Sequence, residues 1–181
     1  MKITPRAFQL PNGELLTVRS LCTEDAEALE VFRCATYSET HFMARYPEEG
    51  ANLEAMQKGL AGCEASALNV EVGAFAGEKL VGEFGVAQVR PHIKYRHRAV
   101  MGISVLKEAW GCGLGSFLMQ LAVDQAKANG FEQLELGVYS DNARAIHLYE
   151  KFGFERCGTT PHAFKLKDGT YRDEIMMVKM L

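Results

Sequence analysis

The chain has 181 residues, of which 48% are hydrophobic and 24% are charged. This composition is typical of a globular protein and excludes a disordered scaffold, and the length predicts a single domain over residues 1–181. Because 20 Lys and Arg stand against 23 Asp and Glu, the net charge of −3 gives no basic excess for binding nucleic acid.

Membrane, disulfide and metal functions find no support in the sequence. The apolar runs are far shorter than the roughly 20 residues of a membrane span, and the N-terminus lacks the apolar stretch of a signal peptide. The five cysteines are widely spaced and the five histidines show no metal-ligand spacing. We therefore expect a cytoplasmic protein with free thiols and no metal site.

The first part of the chain predicts a strand, two helices and the start of a sheet. Residues 15–21 have a strand pattern, and Thr23 predicts the N-cap of a helix whose buried side carries Leu29, Phe32 and Ala35. Apolar residues at three-and-four spacing predict a second helix over residues 52–65. An antiparallel meander then follows, with strands at 68–74, 80–89 and 98–105.

The second part predicts a crossover and a hairpin. Residues 114–130 have a helical period, 133–138 a strand period, and 142–151 form a short helix. We therefore expect a mixed α/β fold of about seven mostly antiparallel strands with one βαβ crossover. Residues 154–166 and 171–179 complete it as a hairpin, whose exposed last strand would allow a homodimer.

A glycine-rich segment lies between a strand and a helix. Gly111, Gly113 and Gly115 let the backbone bend sharply and present free N–H groups at the helix start, which suits a pyrophosphate. A turn that needs glycine only for close packing fits the cluster about equally well. The segment lacks the Gly-Lys-Ser/Thr of a Walker loop, and the third glycine of a Rossmann fingerprint falls on Ser116 or Leu118.

Two blocks of sequence stand in order, separated by a helix and a strand. The first is MGISV at 101–105 followed by GCGLG at 111–115, and the second is NARAIHLYEKFGF at 142–154. They resemble the R/Q-x-x-G-x-G/A and N-x-x-A-x-x-L-Y-x-x-x-G-F patterns of the GNAT superfamily of acyl-CoA-dependent N-acyltransferases. The resemblance implies helices on both faces of the sheet and acetyl transfer from acetyl-CoA to a primary amine of a small molecule, peptide or protein. A non-catalytic acyl-CoA-binding or sensing module on the same fold is the alternative.

The resemblance also implies where the cofactor binds. The strand backbone pairs with the pantetheine arm, the loop amides hold the diphosphate, and the helix cap contacts the arm. The implied cofactor-binding residues are Ile103, Ser104, Val105, Gly111, Cys112, Gly113, Leu114, Gly115, Ser116 and Asn142. Trp110 stands where the family has Arg or Gln, so we expect a diphosphate site one charge short, and Trp110→Arg to tighten CoA binding by about 1 kcal/mol.

Acyl transfer to an amine needs a base for the amine and a proton for the departing thiolate. By resemblance Tyr149 is the proton donor, and simple core packing is its other interpretation. As base we favour Glu83, because it interrupts an otherwise apolar strand face, although a solvated edge carboxylate fits it about equally well. Glu71, His97 and a bound water are the alternatives.

Two further acids suggest the charge of the acceptor. Glu48 and Glu49 lie in the loop between the first two helices, which in this fold would be near the acceptor side. With the negative net charge they suggest a cationic amine, although a solvated loop gives the same residues.

Overall fold

The computed structural model describes residues 2–50 and 52–181. These residues form one sheet of eight strands with four α-helices. The strands are β1 (Arg6–Gln9), β2 (Leu15–Ser20), β3 (Val70–Ala76), β4 (Lys79–Gln88), β5 (Arg98–Val105), β6 (Gln133–Tyr139), β7 (Glu155–Lys165) and β8 (Tyr171–Met180), and the helices are α1 (Ala26–Glu39), α2 (Leu53–Ala65), α3 (Leu114–Ala128) and α4 (Ala143–Lys151).

The strands lie in the order β1-β2-β3-β4-β5-β6-β8-β7. Only β5 and β6 run parallel, joined by the crossover through α3, which confirms the predicted βαβ unit. The sheet has one strand more than expected, because β1 is a four-residue edge strand paired with β2. Of its residues only Phe8 is partly buried, so it shows no apolar alternation to read.

Helices cover both faces of the sheet, as expected. A side chain at Gly82 would meet Leu118 and Leu114 of α3, whereas the next residue, Glu83, bonds to Arg33 of α1. Since consecutive residues of a strand point to opposite faces, α1 and α3 lie on opposite sides of β4. The α2 helix packs beside α1 and against β3.

The helix starts follow local capping with one exception. The side-chain oxygens of Asn52 and Asn142 accept from the third following backbone N–H, which fixes the starts of α2 and α4. Thr23 was predicted to cap the first helix, but its hydroxyl donates to Glu64 at 2.7 Å. Asp25 instead accepts from the backbone N–H of Cys22 at 2.8 Å. Asp25 directly precedes α1, and its side chain forms no capping hydrogen bond to the first turn of this helix.

The apolar faces of the helices build the core. In α1, Leu29, Phe32 and Thr36 are buried, so Thr36 takes the place that was predicted for Ala35, which is only partly buried. The apolar side of α3 is completely covered by the sheet, which fixes the start of α3 against β4 and β5. Within residues 2–50 and 52–181, no helix is long and apolar enough to cross a bilayer.

Candidate active site

A gap opens between β5 and β6 in the middle of the sheet. The two strands pair only through Arg98–Val100 and Gln133–Glu135. Beyond these three pairs the strands separate, while β5 stays paired with β4 and β6 with β8 along their other edges. The gap widens toward the carboxyl ends of β5 and β6.

The backbone of β5 offers hydrogen-bonding groups to this gap. The carbonyl of Arg98 accepts from Val89 and the N–H of Leu106 donates to Val81, so even-numbered residues of β5 face β4. The odd-numbered residues face the gap, namely Met101, Ile103 and Val105. Of the predicted cofactor strand, Ile103 and Val105 thus present backbone groups to the gap, whereas the backbone of Ser104 faces β4.

The glycine loop lies at the open end of the gap. Gly111 and Gly113 have positive φ values of 76° and 88°, which explains glycine at these positions. No backbone N–H from Gly111 to Ser116 donates to another described residue. Six free amides at the start of a 15-residue helix form an anion cradle, and the residues present fit a diphosphate.

Tyr149 is buried on α4 beside this gap-and-loop region. Its ring packs on Phe154, with ring centroids 6.0 Å apart, and the residue is 8% exposed. Its hydroxyl has no hydrogen-bond partner among the described residues, and the hydroxyl oxygen keeps some contact with solvent. Burial raises the pKa of Tyr149 to about 12, so the phenol is protonated at neutral pH. Asn142, at the head of the same helix, uses its side-chain oxygen as the cap.

Glu83 lies in a polar cluster and not on an apolar face. Its carboxylate accepts from Arg33 Nε and Nη2, both at 3.1 Å, and from Ser104 Oγ at 3.2 Å. The residue is 7% exposed, so it is not a solvated edge carboxylate. The Glu83 carboxylate is therefore fixed between Arg33 and Ser104 by three hydrogen bonds.

Glu71 belongs to the same cluster and is held more loosely. It accepts one hydrogen bond from Arg33 Nη2, at 2.7 Å, and its carboxyl group also lies within hydrogen-bonding reach of the Glu83 carboxyl group. Its own burial, and after that the neighbouring Glu83 carboxylate, raise the pKa of Glu71 to about 8.

Two glycines join Glu71 to the gap. The register aligns Glu71 with Gly85 on β4, and Gly85 with Gly102 on β5. The Glu71 carboxylate leans over Gly85, where a Cβ would lie 2.6 Å from Oε2. A Cβ on Gly102 would meet no atom within 4 Å. An open space over Gly102 thus lies between the carboxylate and the gap.

The other residues suggested as base or acceptor contacts lie elsewhere. His97 precedes β5 at its closed end, roughly 23 Å along the strand from Ser104, and its carbonyl accepts from β6. Glu48 pairs with Lys167, and Glu49 accepts from the backbone N–H of Tyr46 at 2.7 Å. Neither acid is thus available to attract a cationic amine.

The loop between α1 and α2 is fastened over the end of β6, a contact that the sequence did not indicate. His41 Nε2 lies 3.0 Å from Asp141 Oδ2, which also accepts from Arg172 at 2.8 Å. The hydroxyl of Tyr139 donates to the carbonyl of Met43 at 3.3 Å. This loop therefore closes the acceptor side of the sheet near the start of α4.

Two cavities flank that loop. One of about 350 Å³ lies between α1 and α2 with Arg33 and Glu71 in its wall, and one of about 220 Å³ lies between the loop and the β7–β8 hairpin. Arg45 lines both cavities, and it forms no ion pair or hydrogen bond with the described residues. Among residues 2–50 and 52–181, no three His, Cys, Asp or Glu side chains are arranged to hold a metal ion.

A split parallel pair, a free-amide loop at its open end and a carboxylate across the sheet lie around this gap, and their hydrogen-bonding groups suit an amide arm and a diphosphate. A protein-family model described as the acetyltransferase (GNAT) family matches residues 28–154. The chain belongs to this family, which confirms the resemblance stated above.

Particular relatives agree with this assignment. The crystal structure of a GNAT-family acetyltransferase from Streptococcus pneumoniae is 28% identical with a TM-score of 0.86, covering 92% of this chain and 99% of that chain. A mycothiol acetyltransferase from Streptomyces griseus subsp. griseus is 29% identical over 145 residues, which is 80% of this chain and 44% of the relative. An L-amino acid N-acetyltransferase from Escherichia coli is 34% identical over 94 residues, 51% of this chain and 56% of the relative. The chain thus spans about half the length of these curated relatives.

Proposed function

We propose that this protein transfers the acetyl group of acetyl-CoA to a primary amine of a small molecule. The carrying observation is the junction of two features at the carboxyl end of β5: the unpaired backbone facing the gap and the six free amides of residues 111–116. An extended amide arm fits the first feature and a diphosphate fits the second. Family membership and the relatives named above support the same reaction.

The acyl carrier is held mainly by backbone. The backbone N–H and carbonyl of Ile103 and the N–H of Val105 face the gap and pair with amides of the arm, whereas the Val105 carbonyl accepts from Trp110. The loop amides receive the diphosphate. Leu114 supplies only its amide, because its side chain is buried under the sheet. The thioester supplies an activated acetyl group, and the gap brings it next to Gly102.

The amine approaches over Gly102, from the face of the sheet that carries Glu71. Its nitrogen forms a bond to the carbonyl carbon, the carbon–sulfur bond breaks, and the proton lost by nitrogen passes to Glu71 directly or through water. Glu83, the base favoured from the sequence, instead holds Arg33 in place, because its carboxylate accepts two hydrogen bonds from that guanidinium and a third from Ser104. A carboxylate with a pKa near the working pH is the more effective base.

Tyr149 supplies the proton that the departing sulfur needs. Its open hydroxyl and raised pKa keep the phenol protonated over the whole physiological range. A phenol of this pKa is a weaker acid than a thiol of pKa about 8.5, so it acts first as a hydrogen-bond donor to the developing thiolate. Its contribution is therefore made in the transition state.

The acceptor that fits best is a small amine with its own carboxylate. Arg45 is the charged side chain that lines both cavities without a partner among the described residues, and it lies on the acceptor side of the sheet. A guanidinium binds a carboxylate in bidentate fashion. The similarity to an L-amino acid N-acetyltransferase supports an amino-acid-like acceptor.

Calorimetry with CoA and a thiol-release assay with a panel of amines test the proposal together. We expect one-to-one CoA binding and faster thiol release with amino acids than with amines that lack a carboxylate. Gly115→Val is expected to abolish CoA binding, because the fold accommodates a Cβ there at 3.8 Å from Leu148 while the added methyls block the approach to the loop amides. Gly158→Val, in open space on β7, is the matched control.

The outcomes separate the candidate functions. CoA binding without thiol release for any amine identifies the sensing module and rejects the transferase. Wild-type CoA affinity in folded Gly115→Val protein rejects the loop as the binding site.

A further inference from the structure

Trp110 is engaged with the strand that leads into the glycine loop. Its indole Nε1 donates to the carbonyl of Val105 at 2.7 Å. The indole therefore binds a backbone group on the gap side of β5 and fixes the turn one residue before Gly111. Trp110→Arg would replace this indole, so its expected effect on CoA binding stays a prediction that includes the loss of the indole contacts.

A cation from another element lies on this indole. The guanidinium carbon of Arg144, in the first turn of α4, is 4.2 Å from the centroid of the Trp110 ring, and Lys107 Nζ is 5.9 Å away. Cation–π contacts at such distances orient a guanidinium while leaving its N–H groups free. Arg144 is exposed and forms no hydrogen bond or ion pair with the described residues. Its five donors are thus available to a ligand.

We propose that Arg144, held on the Trp110 ring, binds the diphosphate of CoA and supplies the charge that the loop motif itself lacks. Trp110 is the positioning residue and Arg144 the binding residue. The inference rests on the proposed function, because it concerns the same acyl carrier. It assigns to a residue 34 positions further along the chain a role for which the loop has no side chain.

Position favours the diphosphate over the 3′-phosphate of the same ligand. Trp110 directly precedes the six free amides, so the stacked guanidinium lies beside the cradle that receives the diphosphate. A guanidinium donates to two phosphate oxygens at once, which a row of amides from one side does not reproduce. The 3′-phosphate lies at the far side of the ribose.

Calorimetric titration of CoA and of dephospho-CoA, which lacks the 3′-phosphate, tests the proposal. For Arg144→Ala we expect about five- to tenfold weaker binding of both ligands, with a loss that shrinks as salt rises. Lys151→Ala is the matched control, because it removes a cation from the other end of the same helix, about 10 Å away. It is expected to bind both ligands within twofold of the wild type.

Trp110 is tested through Arg144. Trp110→Leu removes both the platform of Arg144 and the bond to the Val105 carbonyl. It is expected to weaken binding by a smaller factor in Arg144→Ala than in the wild type, because only the loss of the platform is shared with Arg144→Ala. Thermal melts without ligand show whether each variant is folded.

The outcomes of these titrations distinguish binding of the diphosphate by Arg144 from the alternatives. Unchanged CoA binding by folded Arg144→Ala, or an equal loss in Lys151→Ala, overturns the proposal. A loss with CoA but not with dephospho-CoA moves the contact to the 3′-phosphate and overturns it as stated. Wild-type protein that binds neither ligand rejects the proposed function instead.

Discussion

Replacement of Glu71 by glutamine tests the arrangement of the acidic cluster through stability alone. Glutamine keeps the shape and an oxygen that accepts from Arg33, and Arg33 retains both contacts to Glu83, so no charge is left without a partner. Because the pKa of Glu71 is about 8 in the folded protein against 4.5 ordinarily, the native state holds an extra proton between these values. Stability contributed by this group is complete below about pH 4.5 and is lost as pH rises through 8.

The size of the effect follows from that window. Each pH unit contributes about 1.4 kcal/mol, so the full window would give about 5 kcal/mol. About a fifth of the side chain is exposed, and Arg33 stays beside the ionised carboxylate, so we expect about 2 kcal/mol. In urea unfolding, Glu71→Gln should match the wild type near pH 5 and exceed its free energy of unfolding by about 2 kcal/mol at pH 9.

Two comparisons make the test specific. Glu155→Gln, at the exposed start of β7, controls for removing one carboxylate. Glu83→Gln should destabilise the protein at every pH above 5, because it deprives Arg33 of its bidentate partner. In acetyl transfer, Glu71→Gln should lose about 10²- to 10⁴-fold in kcat/KM. Equal pH slopes for wild type and Glu71→Gln, or full activity in Glu71→Gln with loss in folded Glu83→Gln, would refute the reasoning.

Three other changes give distinct results. Tyr149→Phe should lower kcat by about 10²- to 10⁴-fold with little change in calorimetric CoA affinity, and an unchanged kcat where chemistry limits the rate would return this ring to a packing role. Gly102→Val should fold normally, since a Cβ there meets no atom within 4 Å. It should lower kcat/KM for the amine at least about 100-fold, whereas the control Gly158→Val should not. Equal turnover by the two variants would mean that the amine does not pass over β5. Burial opposes ionisation of Asp25, but hydrogen bonds from Arg19 and the Cys22 N–H hold its pKa at about 2, so Asp25→Asn should cost about 2 kcal/mol at pH 7 and little at pH 2, and a cost independent of pH would contradict the ion pair.

Periodicity and glycine spacing carried most of the fold prediction. β5 begins and ends at the predicted residues, and α2 covers the predicted range but for its first residue, because both segments have a clear apolar period. The glycine loop could be predicted for a different reason, because the positive φ values at positions 111 and 113 favour glycine, and glycine is visible in the sequence. β1 could not be predicted in this way, because a short edge strand forms by pairing with its neighbouring strand and has no sequence pattern of its own.

Only part of the acidic cluster could be predicted from the sequence. Glu71 sits on the polar side of an alternating strand, which in a single sequence looks like a solvent-facing side. In the structure, α1 packs over that face of β3 and places Arg33, which lies 38 residues earlier in the chain, against Glu71. The polar face of the strand is therefore a buried ionic site. Arg33 follows the buried Leu29 by one helical turn, and that spacing was the available signal. The contact of Arg144 with Trp110 had no local signal, because it joins two separate helical segments.

The short pairing of β5 with β6 also bears on how the protein opens. Within the described sheet, three residue pairs join strands β1 to β5, as one blade, to strands β6 to β8, as the other. The loop contacts of His41 with Asp141 and of Met43 with Tyr139 connect the same two blades. A ligand with regularly spaced amides would act as a ninth strand that ties both blades together. At a hundredfold excess over its Kd it would add about 2.7 kcal/mol to stability. The slowed hydrogen exchange should then appear on both inner edges of the gap, including residues 136–139 of β6 as well as β5.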